Sequence, residues 1–182
     1  MHPDLRRIGA DAERAAGDLT DIATGLSETQ LAWSPAPGAW SLEQIFDHIA
    51  LASARYTTRL GPVIGAATRG AAQAPAYRPR LLGRRLIAAE RDTSRRRTAP
   101  AAFAPTNPPP PDALDRAVRA LAHLAGLVVA ADGLDVNRIR VASARLPFVR
   151  LSVGDELTLA VAHATRHVAQ ARRVREHPAF PI

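Results

Sequence analysis

The residues of this chain best suited to chemistry are two histidines near its C-terminal end, in Asp155-Glu-Leu-Thr-Leu-Ala-Val-Ala-His163-Ala-Thr-Arg-His167-Val-Ala-Gln170. They are four residues apart, so on a helix they lie one turn from each other on one side, with Cβ atoms about 5–6 Å apart. Two imidazoles at that spacing can converge on one metal ion. Gln170 follows one turn later and could orient a ligand, or serve as an ordinary polar residue at a helix edge. At 100° per residue, Leu157, Ala160, Val161, Ala164, Val168 and Ala171 form an apolar stripe, with His163, His167 and Gln170 along one margin of it. A histidine in that place suits a structural, half-buried role as well as ligation. A third ligand on another element would separate the two.

His48 is the matching candidate. In Trp40-Ser41-Leu-Glu-Gln44-Ile45, Ser41 can cap a helix and Gln44 can return the bond, while Trp40 and Ile45 are placed for a hydrophobic staple. Leu42, Ile45, Phe46, Ile49, Ser53 and Tyr56 then mark the buried side. His48 falls near the edge of that stripe, close to Gln44, Ala52 and Arg55. Trp40 reads as a core anchor for the helix entry rather than a substrate-stacking residue.

The remaining pattern is helical. Leu5, Ile8, Ala12, Ala15, Leu19, Ile22 and Leu26 recur at spacings of three and four, which predicts a helix from about Pro3 to Thr24 with Gly25 as its stop. Ser27-Glu-Thr-Gln30 is a second capping box, opening a short helical turn. The helix that carries His48 is expected to end near Ala67, in a region broken by Gly61-Pro62, Gly65, Gly70, Pro75 and Pro79. Leu81, Leu82, Leu86 and Ile87 suggest a short helical piece, bordered by a basic stretch from Arg91 to Arg97. Pro100, Pro105 and Pro108 to Pro111 make a stiff crossover, a spacer rather than an element. A further helix is expected from Asp112, as its cap, to Ala131, burying Leu114, Val118, Leu121, Ala125 and Val128. His123 on this helix is expected to be structural or exposed. Arg138-Ile139-Arg140-Val141 alternates as a short extended stretch would, and Ser152 supplies a polar start for the last helix.

Composition narrows the function classes. At 182 residues the chain is expected to form one domain. Hydrophobic residues make up 47% and aromatic ones 4%, which favours closely packed helices over a β-sandwich. No apolar run reaches the ~18–20 residues that cross a bilayer, and the N-terminus begins a helical pattern rather than a signal sequence, so a cytoplasmic protein is expected. The absence of cysteine excludes disulfides, a thiolate nucleophile and thiolate zinc fingers, leaving nitrogen and oxygen to hold any metal. The formal charge is +7 and its cations are all arginine. Clustered guanidinium groups attract phosphate. Here they are spread over several segments with few aromatics for base stacking, which fits a GC-rich coding sequence better than a nucleic-acid partner.

Taken together, Pro35-Ala-Pro37-Gly38-Ala-Trp40-Ser41 followed by His48, and Leu151-Ser-Val-Gly-Asp155 leading into His163-x-x-x-His167-x-x-Gln170 and Pro178-Ala-Phe180-Pro181, resemble the DinB-like (DinB/YfiT-type) family. The resemblance implies an all-α fold, a four-helix bundle of up-down-down-up type with the proline-rich crossover in its middle. It also implies one divalent metal (Zn, Ni, Mn or Fe) on His48, His163 and His167, and a homodimer by family habit. The region from Gly61 to Pro111 carries no motif that matches.

Two classes of function follow. One is a metal-dependent enzyme acting on a small molecule, either a hydrolase or, as in thiol-S-transferases that the resembling family includes, one that uses a low-molecular-weight thiol. A metal can lower the pKa of a bound thiol, supplying the thiolate that a chain without cysteine lacks. Gln170 and Gln44 are then candidates to orient ligands or substrate, and Arg55 or another cleft arginine could hold an acidic group. No second carboxylate-bearing motif for acid/base work is evident. The alternative is a non-catalytic bundle that binds a small ligand or an acidic partner such as nucleic acid, with the histidines structural or vestigial. The Arg91 to Arg97 stretch and a pI near 11.3 favour it, and the lack of a helix-turn-helix pattern weighs against it.

Overall fold

The periodic apolar residues and caps build helices where they are expected. The computed structural model describes residues 1–69, 75–93 and 100–181. Helix α1 (Pro3–Ala23) buries Leu5, Ile8, Ala12, Ala15, Leu19 and Ile22, and the chain leaves it through Gly25, whose φ of 76° lies in the left-handed region that glycine adopts without strain. Helix α2 (Glu28–Ala32) and helix α3 (Leu42–Ala66) each begin with a complete capping box, Ser27 with Gln30 and Ser41 with Gln44. Helix α3 runs on through Pro62, and Ile64, two residues from its end, is buried in the core. Among the described residues, helix α4 (Leu81–Arg91) is followed by a 3-10 turn (Ala101–Phe103), helix α5 (Ala113–Ala130), strands β1 (Arg140–Ala142) and β2 (Arg150–Ser152), and helix α6 (Val153–Arg175).

Four of these helices make an all-α bundle in which α1 and α3 each pack against both α5 and α6. Helices α1 and α6 run parallel, since Asp18 pairs with Arg172 at 3.3 Å and Arg175 Nη1 donates to the Ile22 carbonyl at 2.7 Å, one turn further along both. Helix α3 runs against α6, because its start packs with Val168, Ala171 and Val174 while Tyr56, Leu60 and Ile64 pack with Leu157 and Val161. The same two clusters pair the start of α5 with the start of α3 and the end of α1, giving the up-down-down-up order. The core is thus two apolar clusters stacked along the bundle axis. In α6 the first ends at Val161 and the second resumes at Ala164, so His163 marks the junction.

Several expectations change. Asp112 stands at the N-cap of α5 without a side-chain capping bond, and its carboxylate instead lies 3.6 Å from Arg119. The deepest early positions of α5 are Ala113 and Ala117, while Leu114 and Val118 are half-buried; small residues let α5 approach its neighbours closely there. The extended stretch is one arm of an antiparallel hairpin whose second arm, Arg150–Ser152, was not expected; Val141 pairs with Leu151 and both are buried. The crossover is more than a spacer, for Asp47, wholly buried in α3, accepts bonds from both the amide and the hydroxyl of Thr106 at 2.8 Å. His123 is exposed. Of the basic stretch, residues 94–97 lie outside the described residues, as does Gly70. Among the described residues, no helix is long and apolar enough to cross a membrane.

Candidate metal centre

The cap at Ser41 sets the phase of α3 and brings His48 round to face α6 in the second turn. Ser152 sets the phase of α6, accepting a bond from the Asp155 amide at 3.1 Å. From Val153 to Ala164 every residue of α6 is buried, because the hairpin and α4 cover the side that the four-helix bundle leaves open. The expected margin of an apolar stripe is therefore interior. His48 is 1% exposed, His163 8% and His167 9%.

The three rings converge. His48 Nε2 is 3.1 Å from His167 Nε2 and 3.2 Å from His163 Nε2. Metal–imidazole bonds of about 2.0–2.1 Å at angles between 90° and tetrahedral separate two nitrogens by about 2.9–3.4 Å, so these spacings suit one shared ion. Among the described residues they form a group of potential ligands whose donor atoms all lie within 4.8 Å of one another.

Hydrogen bonding fixes which nitrogens are free. His48 Nδ1 faces the carbonyl of Phe103, His163 Nδ1 lies 3.2 Å from Glu90 Oε2, and His167 Nδ1 lies 2.9 Å from Gln170 Oε1. A carbonyl, a carboxylate and an amide oxygen only accept, so each Nδ1 carries the proton and donates. Each Nε2 then presents a lone pair to the same point. Three lone pairs aimed at one another within a core repel unless a cation sits among them, and that donor set fits a divalent metal.

The electrostatics agree. Burial, followed by the neighbouring His163, pushes His48 down to about 4. Burial, then Arg145 and Arg166, pushes His163 down to about 3. His167 is held well below its ordinary value by burial and then by the other two histidines. All three are neutral at neutral pH, the form that ligates.

Residues 11–171 match the model of the DinB superfamily. The chain belongs to the DinB superfamily. This is a metal-binding family, and the three buried histidines of this DinB chain could hold the ion. Comparison with curated proteins and with solved structures returns no match.

The other candidate residues of the DinB chain are placed unevenly. Gln170, half-buried, meets His167 directly. Gln44 has its amide oxygen on the Ser41 amide at 3.1 Å, completing the cap of α3. Arg55 is exposed, and its guanidinium lies 5.2 Å from the centre of the Phe103 ring, on a residue whose carbonyl holds His48. Trp40, half-buried, packs its ring 4.7 Å from His48 and 6.0 Å from His167, so it both anchors the entry to α3 and walls the site.

Three further residues escaped the sequence, and Tyr56, expected only as a core position, also meets the site. Glu90, on α4, is 2% exposed and forms an ion pair with Arg145 of the hairpin as well as touching His163. Phe103 acts through its backbone, which no side-chain pattern reveals. Glu156, on the same side of α6 as His163 and two turns earlier, is wholly buried, accepts from the Ala144 amide, and is pushed up to about 7 chiefly by burial. Tyr56 lies 6.2 Å from His163, centre to centre. A weak signal for Glu90 did exist, because Gly83, Ile87 and Glu90 lie on one face of a helix. Glu90 thus brings a carboxylate to the site, although no sequence motif announces it.

Proposed function

We propose that this DinB chain is a metal-dependent enzyme that holds one divalent ion on His48, His163 and His167 and acts on a small molecule. The reaction is a thiol-dependent S-transfer or a hydrolysis. The observation that supports the reading is the orientation of the three imidazoles, each with Nδ1 tied outward and Nε2 turned to one point. Three neutral nitrogens leave coordination positions open and add no negative charge, an arrangement suited to catalysis rather than to a closed structural site. Bound there, zinc, nickel, manganese or iron would supply a Lewis acid able to lower the pKa of a water or thiol.

The chain's own residues hold and shield. Phe103, Glu90 and Gln170 keep the ligand rings in register, while the Trp40 ring packs beside His48 and the Tyr56 ring beside His163. Because the sequence lacks cysteine, the thiol of an S-transfer must arrive as a low-molecular-weight cosubstrate. Metal content of untagged protein, measured by elemental mass spectrometry beside His163→Ala, tests the reading. About one equivalent in the native chain and little in the variant supports it, and S-transfer and hydrolysis assays on the loaded protein then choose the reaction. A native chain that stays metal-free after incubation with Zn²⁺, Ni²⁺, Mn²⁺ and Fe²⁺ would refute it.

A further inference from the structure

Helix α4 is an unusual element for a bundle. Its eleven residues bury Gly83, Ile87 and Glu90, so one of three positions on its inner face is a carboxylate. Burying an unpaired carboxylate is costly, and an apolar residue there would stabilise the packing more simply. Yet α4 is fastened to α6 at both ends. Near its start, Gly83 lets the helix approach so closely that an added Cβ would fall 2.3–2.5 Å from the Asp155 carboxylate, which itself accepts from the Tyr77 hydroxyl at 2.9 Å. At its end, Arg166 of α6 donates to the carbonyls of Glu90 and Asp92, satisfying backbone oxygens that a helix terminus leaves without partners. Between these fastenings Glu90 reaches His163 on one side and Arg145, at the tip of the hairpin, on the other.

We propose that Glu90, held by Arg145, is the positioning residue for His163, so that metal affinity depends on a helix and a hairpin that contribute no ligand. The carboxylate keeps the proton on Nδ1 and aims Nε2 at the ion. Arg145 balances its charge and stops it from turning away. His163 is the one imidazole of the three tied to a charged acceptor, since His48 has a backbone carbonyl and His167 a neutral amide. Hydrogen bonds to an ionised acceptor are roughly twice as strong as neutral ones, so loss of the charge at position 90 should be felt at His163. The inference rests on the three-histidine metal site proposed above.

The test is a titration of the full chain with Zn²⁺, and with Co²⁺ for its visible absorption, for the native protein, Glu90→Gln, Arg145→Met and the double variant, beside thermal unfolding of each apo form. Glu90→Gln is expected to weaken binding about 10–100-fold and to alter the Co²⁺ absorption. Arg145→Met is expected to weaken it several-fold, with less effect in the Glu90→Gln background than alone. Native-like affinity and absorption in Glu90→Gln, even with a lowered apo melting temperature, would make the residue merely structural and overturn the proposal. So would additive effects of the two substitutions. Should Glu90→Gln fold poorly, Arg145→Met carries the test, being 25% exposed on a hairpin; unchanged affinity there overturns the proposal. A native chain that binds neither ion would remove the metal site as well, an outcome distinct from a native chain that binds and a Glu90→Gln that binds equally.

Discussion

Nε2 of His48 lies 3.1 Å from Nε2 of His167, and both rings have their other nitrogen tied to an acceptor. Metal addition should therefore stabilise the fold, since the ion binds an arrangement that the unfolded chain lacks. At a free ion concentration 100 times the Kd, the gain is about 2.7 kcal/mol. His48→Ala and His167→Ala should each abolish most of the rise in melting temperature that Zn²⁺ causes in the native chain. A rise of native size in either variant would place the ion elsewhere.

Asp47 should matter to a site it does not enter. Its buried carboxylate holds Thr106 by two bonds, three residues after the Phe103 carbonyl that orients His48. Asp47→Ala removes both hydrogen bonds to this carboxylate and should cost about 1–3 kcal/mol in denaturant unfolding. It should also weaken Zn²⁺ binding measured by calorimetry. Full stability together with full affinity would show that the crossover is held without Asp47.

Two glycine substitutions should have opposite signs. Gly83→Ala forces a methyl into the Asp155 carboxylate and should destabilise by about 1–3 kcal/mol through overpacking. Gly17→Ala, on the exposed side of α1 with open space around it, should stabilise by about 0.5–1 kcal/mol through helix propensity. Urea midpoints of the two variants check both. A neutral Gly83→Ala would mean that α4 can shift away from α6 without loss.

Glu156 should leave a mark on the pH dependence of stability. Its folded value is raised to about 7 from 4.5, so the native state keeps a proton that the unfolded state releases across that interval. Its contribution is favourable at low pH and is lost as pH rises through about 7. Native stability should therefore fall relative to Glu156→Gln between about pH 4.5 and pH 7, and the difference should level off above that. Parallel melting curves of the two proteins across the interval would contradict this.

The local signals in the sequence determined a good deal. Apolar spacings of three and four set the helices, and the boxes Ser27/Gln30 and Ser41/Gln44 set two of their starts, because these are interactions between residues a few positions apart. His163 and His167 had to share a side of α6 for the same reason, and the two histidine motifs were enough to indicate the DinB family. Tertiary structure alone decided what surrounds those histidines. It carried His48 from a presumed edge to 1% exposure, since burial depends on what α4, the crossover and the hairpin cover. It also set Glu90, 73 residues from His163, against that ring, and chose a backbone carbonyl at Phe103 for His48. A carbonyl has no side-chain signature, and a glutamate on a short amphipathic helix looks like a solvated charge until the helix is packed. The ligands could thus be found by spacing and resemblance, whereas the groups that aim them come from chain segments that meet only when the bundle closes.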